Sequence, residues 1–272
     1  MVETKIMETI LYKGVELSYK KIGRGDTVLV LFYGYGQNST VFDSFVEGLE
    51  KSHTIYIIDL FFHGNSKWEV EEQLTANFWL WLFLKFIEKN NITKFELIGF
   101  SLGSKFALLT YETMPTRVTA MYLIAPDGFH ENLWYKLFTT NRFTLKMLKF
   151  ILDQWGAFRF VPYVGYKMGL ITKEIYRFVT VNVDTVSKRV RLYHTWRVFK
   201  DIQLPLHDLA TQIRKHYTPL FVYIGKQDHI IKENHIKSFC LKTKRAEIVS
   251  LEANHQAVLS QALIEIKKII TS

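Results

Sequence analysis

Residues 94–105 read Lys94-Phe95-Glu96-Leu97-Ile98-Gly99-Phe100-Ser101-Leu102-Gly103-Ser104-Lys105. The opening five residues, Lys94 to Ile98, are a strand candidate, and the stretch from Gly103 to Tyr111 opens a helix. Between them stands a G-x-S-x-G sequence, and its position directly after a strand and directly before a helix gives the motif its weight. A turn that sharp needs small residues on both sides of the serine. Gly99 and Gly103 relieve the clashes while Ser101 projects from the sheet edge. The helix that follows aims its N-terminal N–H groups at any negative charge that develops there.

Outward from this turn, strand and helix alternate. Thr27 to Phe32 is an apolar run ending in the Gly-rich YGYGQNS, Val41 to Glu50 reads as helical, and Thr54 to Asp59 is β-branched and apolar. Leu74 to Lys89 has helical length, and Val118 to Ile124 is a further strand. Upstream, Ile10 to Tyr12 and Val15 to Tyr19 flank Lys13-Gly14 as a hairpin. Near the end come a helix at Leu206 to Lys215, a strand at Leu220 to Ile224, a helix from Lys232, a strand at Glu247 to Leu251 and a last helix after His255. Parallel strands need crossover connections, so this order predicts an α/β fold with a mostly parallel central sheet and helices on both faces. The alternation stops between Gly128 and His207, which predicts a mainly helical insertion at 128–207 within a core made of 1–127 and 208–272. Helices suit Leu145 to Gln154 and Lys188 to Lys200 within it.

Composition narrows the function classes. In 272 residues, 48% are hydrophobic and 22% charged, with 5 Pro and 14 Gly, so the chain is neither low-complexity nor too polar to bury a core. The single cysteine, Cys240, cannot close a bridge within the chain, which points to a reducing, cytoplasmic setting. The N-terminal stretch has acidic residues at positions 3 and 8 and no apolar h-region, so no export is expected from it. The most apolar window, Phe78 to Ile87, is half the roughly 20 residues a bilayer span requires and reads as a buried helix. The segment 128–207 holds 13 Lys and Arg against 5 Asp and Glu, so it carries +8 of the chain's net +9. Those charges are dispersed among apolar residues. Solvated helix faces are therefore expected, with no nucleic-acid partner and membrane-surface contact through the basic insertion disfavoured.

A serine hydroxyl is a poor nucleophile at neutral pH and needs a base, which in turn needs a group to orient it. His255, in Asn254-His255-Gln256, falls in a loop after a strand and before a helix. Asp228 lies just beyond the strand that ends in Ile224-Gly225. Open α/β sheets concentrate their sites at that edge. His53, His130, His194, His207, His216, His229 and His235 show no metal-ligand spacing, so neither a metal nor a cofactor is expected. Gly34-Tyr35-Gly36 lacks the lysine of a P-loop and the third glycine of a dinucleotide fingerprint.

From FYGYGQNS through IIDLFFHGNS, IGFSLGS and IGKQDHII to ANHQAVL, the chain resembles an α/β-hydrolase-fold serine hydrolase with an inserted cap. These segments run in that family's order of serine, acid and histidine. The resemblance implies Ser101 as nucleophile, His255 as general base and acid, Asp228 as the carboxylate on the histidine, and the N–H groups of Leu102 and Tyr35 as the oxyanion hole. Asp127, in IAPDG, stands where some relatives carry the acid, although the G-x-x-D spacing favours Asp228. Tyr33-Gly34 replaces the family's common His-Gly, so that imidazole's support for the loop is lost. Asn254 replaces a common glycine, which is expected to alter the loop because Asn tolerates φ > 0 less well. His63 reads as a turn residue of the family's Asp-x-x-Gly-x-Gly-x-Ser segment. The implied activity is cleavage of an ester or related acyl substrate through an acyl-enzyme, on a small hydrophobic molecule held in an apolar pocket. The same scaffold serves C–C bond hydrolases and acyltransferases, and a non-catalytic receptor or partner-binding protein is the alternative outside enzymes.

Overall fold

The computed structural model describes residues 6–129 and 133–271. Positions 1–5, His130 and the side chain of His235 fall outside the described part, and with them the reading of Glu3 in the N-terminal stretch. The chain divides into two compact units, one made of 1–71, 75–130 and 202–272, the other of 72–74 and 131–201.

The larger unit is built on a nine-stranded sheet. β1 (Ile6–Tyr12) and β2 (Val15–Ile22) form the antiparallel hairpin, closed at the Tyr12↔Val15 pair. Lys13 and Gly14 both take positive φ, 47° and 76°, as a tight turn between right-twisted strands requires. β3 (Thr27–Phe32) pairs in parallel with β4 (His53–Ile58) and with β6 (Phe95–Phe100). β7 (Val118–Ile124), β8 (Leu220–Gly225) and β9 (Ala246–Leu251) continue the parallel array. The order is β1-β2-β4-β3-β6-β7-β8-β9, and β5 (Lys67–Trp68), a two-residue strand not anticipated from the sequence, pairs with β2. β4 is buried along its whole length and β3 over its last four residues, as strands covered on both faces must be.

Helices cover this sheet. The expected helix at 41–50 is reduced to a 3-10 turn at Ser39–Phe42 and one short turn, α1 (Asp43–Val46), because Glu47 leaves helical backbone at ψ 124° and Gly48 follows at φ +82°. α2 (Ala76–Lys89) starts at Thr75, whose hydroxyl accepts from the Phe78 amide, and contains the apolar window 78–87. Trp79, Leu82, Phe83 and Phe86 from this helix are fully buried. α3 (Leu102–Thr113) begins immediately after β6. No helix among the described residues is long and apolar enough to cross a membrane.

The smaller unit is helical: α4 (Leu133–Thr139), α5 (Arg142–Asp153), α6 (Trp155–Phe158), α7 (Phe160–Lys167), α8 (Lys173–Val183) and α9 (Val186–Phe199). Asn141 and Thr144 close a reciprocal capping box on α5, and Thr185 caps α9. The insertion was expected at 128–207, but its two ends belong to the larger unit. Phe129 packs edge-on to Phe239 with ring centroids 4.9 Å apart, and Gly128 lies against Leu204. The chain then returns through α10 (Leu206–Lys215), α11 (Glu233–Thr243) and α12 (Ala257–Thr271).

Candidate active site

The turn from β6 into α3 holds Ser101 at φ 51°, ψ −118°, a backbone conformation that a non-glycine residue adopts only when its surroundings enforce it. Three hydrogen bonds do so: Ser101 N–H donates to the Ile124 carbonyl at 2.9 Å, and the Ser101 carbonyl accepts from Ser104 N–H at 2.9 Å and Asp127 N–H at 3.2 Å. A Cβ on Gly99 would stand 2.6 Å from Ser104 Cα, and one on Gly103 would overlap the Phe32 carbonyl. The two glycines thus let strand, turn and helix approach one another. Leu102, the first residue of α3, has an N–H with no acceptor within its own helix.

Asp228 follows β8 and is buried to its side-chain atoms. One carboxylate oxygen, Oδ1, accepts from the Ile230 and Ile231 amides at 2.8 and 2.9 Å, and the other, Oδ2, lies 2.7 Å from His255 Nδ1. Two main-chain donors and an imidazole are what a buried carboxylate requires to remain charged. Because Oδ2 of the ionised group can only accept, Nδ1 carries the proton and Nε2 is left with its lone pair. The β8 and β9 ends are tied together below the pair, Lys226 N–H to the Leu251 carbonyl and Gln227 N–H to the Ala253 carbonyl. Asn254 takes no positive φ. Its Oδ1 accepts from the Gln256 and Ala257 amides, so the residue caps the start of α12, and the loop distortion expected from losing a glycine there does not arise.

The structure therefore brings Asp228 to His255, while Asp127 turns its Oδ1 to its neighbour's amide, Gly128 N–H, at 2.7 Å. His255 is 19% exposed and its ring lies 5.4 Å from that of Phe100, the residue immediately before Ser101. Phe100 also fills the space over Gly34, where an added Cβ would come within 2.9 Å of its ring. The hydrogen bond that the His255 ring makes among the described residues is the one to Asp228.

The loop after β3 carries Tyr33, Gly34 and Tyr35. It is pinned by two bonds across Gly34, whose N–H donates to Gln37 Oε1 at 2.9 Å and whose carbonyl accepts from Gln37 N–H. The Tyr33 hydroxyl donates to Asp59 Oδ1 at 2.9 Å, and Oδ2 of the same carboxylate accepts from Asn65 N–H at 2.8 Å. His63 is more than the turn residue expected from the sequence. It is buried, its Nδ1 bonds the Phe61 carbonyl at 2.9 Å, and its ring meets that of Tyr35 edge-on at 5.2 Å. The rings of Tyr33 and Tyr35 pack against it, at 6.5 and 5.2 Å between centroids. Phe100, Asp59 and His63 were not singled out as site residues from the sequence, since only the aspartate's place at a strand end is legible there.

Among the described residues there is no group of three or more His, Cys, Asp or Glu side chains able to hold a metal ion.

A family model described as alpha/beta hydrolase fold matches residues 27–155. No curated protein matches the chain by sequence. Among solved structures, an alpha/beta hydrolase enzyme from a Medee basin deep-sea metagenome library is 21% identical, with 95% of this chain and 97% of that one covered and a TM-score of 0.62. A thermophilic esterase from Thermogutta terrifontis is 14% identical, covering 98% and 97%, at a TM-score of 0.67. A meta-cleavage product hydrolase from Pseudomonas fluorescens is 16% identical, covering 97% and 95%, at 0.65.

Proposed function

Starting from a chain that has the α/β-hydrolase fold, we propose that it is a cofactor-independent serine hydrolase acting on an ester or related acyl substrate. The observation that carries this reading is the 2.7 Å bond between Asp228 and the His255 imidazole, on strand ends of the same sheet as the strained Ser101 turn. A fixed tautomer with a free Nε2 lone pair is the state a general base needs.

In this mechanism Ser101 Oγ attacks the substrate carbonyl carbon as its proton passes to His255 Nε2. The tetrahedral oxyanion is held by the N–H groups of Leu102 and Tyr35, each such donor being worth about 10² to 10³ in rate. Collapse expels the alcohol with the proton from His255, leaving an acyl group on Ser101. Water then gives its proton to His255, attacks the acyl carbon and releases the acid, restoring the serine. Asp228 stays ionised throughout and stabilises the imidazolium. The substrate class is a small molecule with a hydrophobic acyl or aryl group. The single thiol, Cys240, which cannot pair within the chain, supports a cytoplasmic setting.

A fluorophosphonate probe tests the nucleophile: wild type is expected to be labelled and Ser101→Ala not, and equal labelling of both overturns the assignment. Burst release from a short p-nitrophenyl ester separates turnover from the receptor alternative, which would bind without releasing product. The same three residues on this scaffold can also serve C–C bond hydrolysis, so a panel of esters and diketones distinguishes the two chemistries.

A further inference from the structure

Against the expectation drawn from its dispersed charges, we propose that the smaller unit docks on an anionic lipid surface through the exposed apolar side chains of α5 and α7. α5 has two apolar stripes. Leu145, Leu148 and Leu152 are buried, whereas Phe143, Met147 and Phe150 recur at the spacing of one helix face and stand in solvent, Phe143 at 76% and Phe150 at 58% exposure. The Phe150 ring meets Phe158 at 5.9 Å, and Phe158 leads through Arg159 into α7, where Phe160, Val161 and Val164 are again exposed and Met168 follows just beyond the helix. Solvent-facing apolar side chains on two helices linked in sequence through the short α6 exceed the scattered single residues that need no explanation.

The charge around them selects the occupant. Residues 141–170 contain five cations, Arg142, Lys146, Lys149, Arg159 and Lys167, all exposed, against a single carboxylate. That carboxylate, Asp153, is already bound by Lys149. Aromatic and aliphatic tips among long cationic side chains match the layering of a bilayer interface, where apolar tips enter the acyl boundary and ammonium or guanidinium groups remain at anionic headgroups. A second copy of this chain is a poor occupant, because it would set one cationic patch against another. Side chains that stand out from the helices suit a deformable lipid phase better than a rigid protein surface.

Co-flotation of the full chain with phosphatidylcholine vesicles, with and without phosphatidylglycerol, tests this without relying on the proposed hydrolysis. Binding to the mixed vesicles, absence on the pure zwitterionic ones and loss at high salt are expected. The double variant Phe143→Ser/Phe160→Ser and the double variant Lys146→Glu/Arg159→Glu should each bind the mixed vesicles at least ~10-fold more weakly, with unchanged far-UV circular dichroism. Leu241→Ser, which removes an equally exposed leucine from α11, should bind as wild type does. Failure of the wild type to bind mixed vesicles, or unchanged binding by both double variants, overturns the proposal. So does a dimer in sedimentation equilibrium that Phe143→Ser/Phe160→Ser abolishes, or retention on polyglutamate without vesicle binding, which would reassign the face to an acidic polypeptide.

Discussion

The hydroxyl of Tyr33 donates to the buried carboxylate of Asp59 at 2.9 Å, and this bond ties the loop after β3 to the turn after β4. Asp59 also accepts from Asn65 N–H, while its own carbonyl accepts from the Ser66 hydroxyl, so the whole turn 59–66 is organised around one residue. Position 33 thus carries a phenol with a specific partner.

Tyr33→Phe keeps the ring and removes that donor. A buried carboxylate left short of a hydrogen bond typically costs about 1–3 kcal/mol. Urea unfolding should show that loss, and the rate of fluorophosphonate labelling at Ser101 should fall several-fold because the loop carrying Tyr35 loosens. A change in stability below ~0.5 kcal/mol would mean the bond does not hold the loop.

Asp228→Asn and Asp127→Asn separate the two carboxylates. An amide at 228 can donate to His255 Nδ1 and so favours the wrong tautomer, a change that costs about 10⁴ in kcat where a triad acid is replaced in this way. Among the described residues the Asp127 side chain bonds Gly128 N–H, and its contact to Ser101 is through the main chain, which the substitution retains. Its kcat should stay within about tenfold of wild type. The reverse ranking would transfer the role to Asp127.

Gly103→Ala and Gly156→Ala test close approach against intrinsic propensity. The added methyl at 103 meets the β3 main chain at Phe32, which cannot swing aside, and a loss of about 3 kcal/mol or more is expected. At Gly156, in α6, nothing lies within 4 Å of the new Cβ, and alanine should be neutral or stabilising by up to ~1 kcal/mol. Thermal melting of the two proteins side by side gives the comparison.

Glu96 in β6 supplies a pH dependence. Burial holds its carboxyl above the usual glutamate range, against the opposing pull of the Tyr122 hydroxyl, and its Oε2 is buried without a hydrogen-bond partner. The folded protein therefore holds this proton more tightly than the unfolded chain does. Its contribution to stability is fully present below the ordinary glutamate pKa and is lost as pH rises through the raised one. Glu96→Gln should stabilise the protein at pH 7 by about 1 kcal/mol, and the advantage should shrink toward pH 4. Denaturation midpoints that shift equally at both pH values would refute the assignment.

Much of the larger unit is legible in the sequence. Strand runs such as Thr27–Phe32 and Val118–Ile124, the Lys13-Gly14 turn and the small residues around Ser101 are local signals, written in side-chain period and in backbone conformations that few residues adopt. Periodicity failed at 41–50, where apolar spacing suggested a full helix but Glu47 and Gly48 break the backbone. Spacing also offered two carboxylates for one imidazole. Only the fold sets Asp228 beside His255, and only the fold finds Asp59 for Tyr33, since each pair is separated by more than twenty residues and its bond depends on where whole strands end. α5 marks the same boundary most plainly. Both of its stripes are apolar, so sequence alone cannot say which is buried; packing against neighbouring helices covers the leucines and leaves the Phe143–Phe150 side to solvent. Local order follows from each residue's own sterics and hydropathy, whereas burial and pairing are properties of the neighbours that distant chain segments bring.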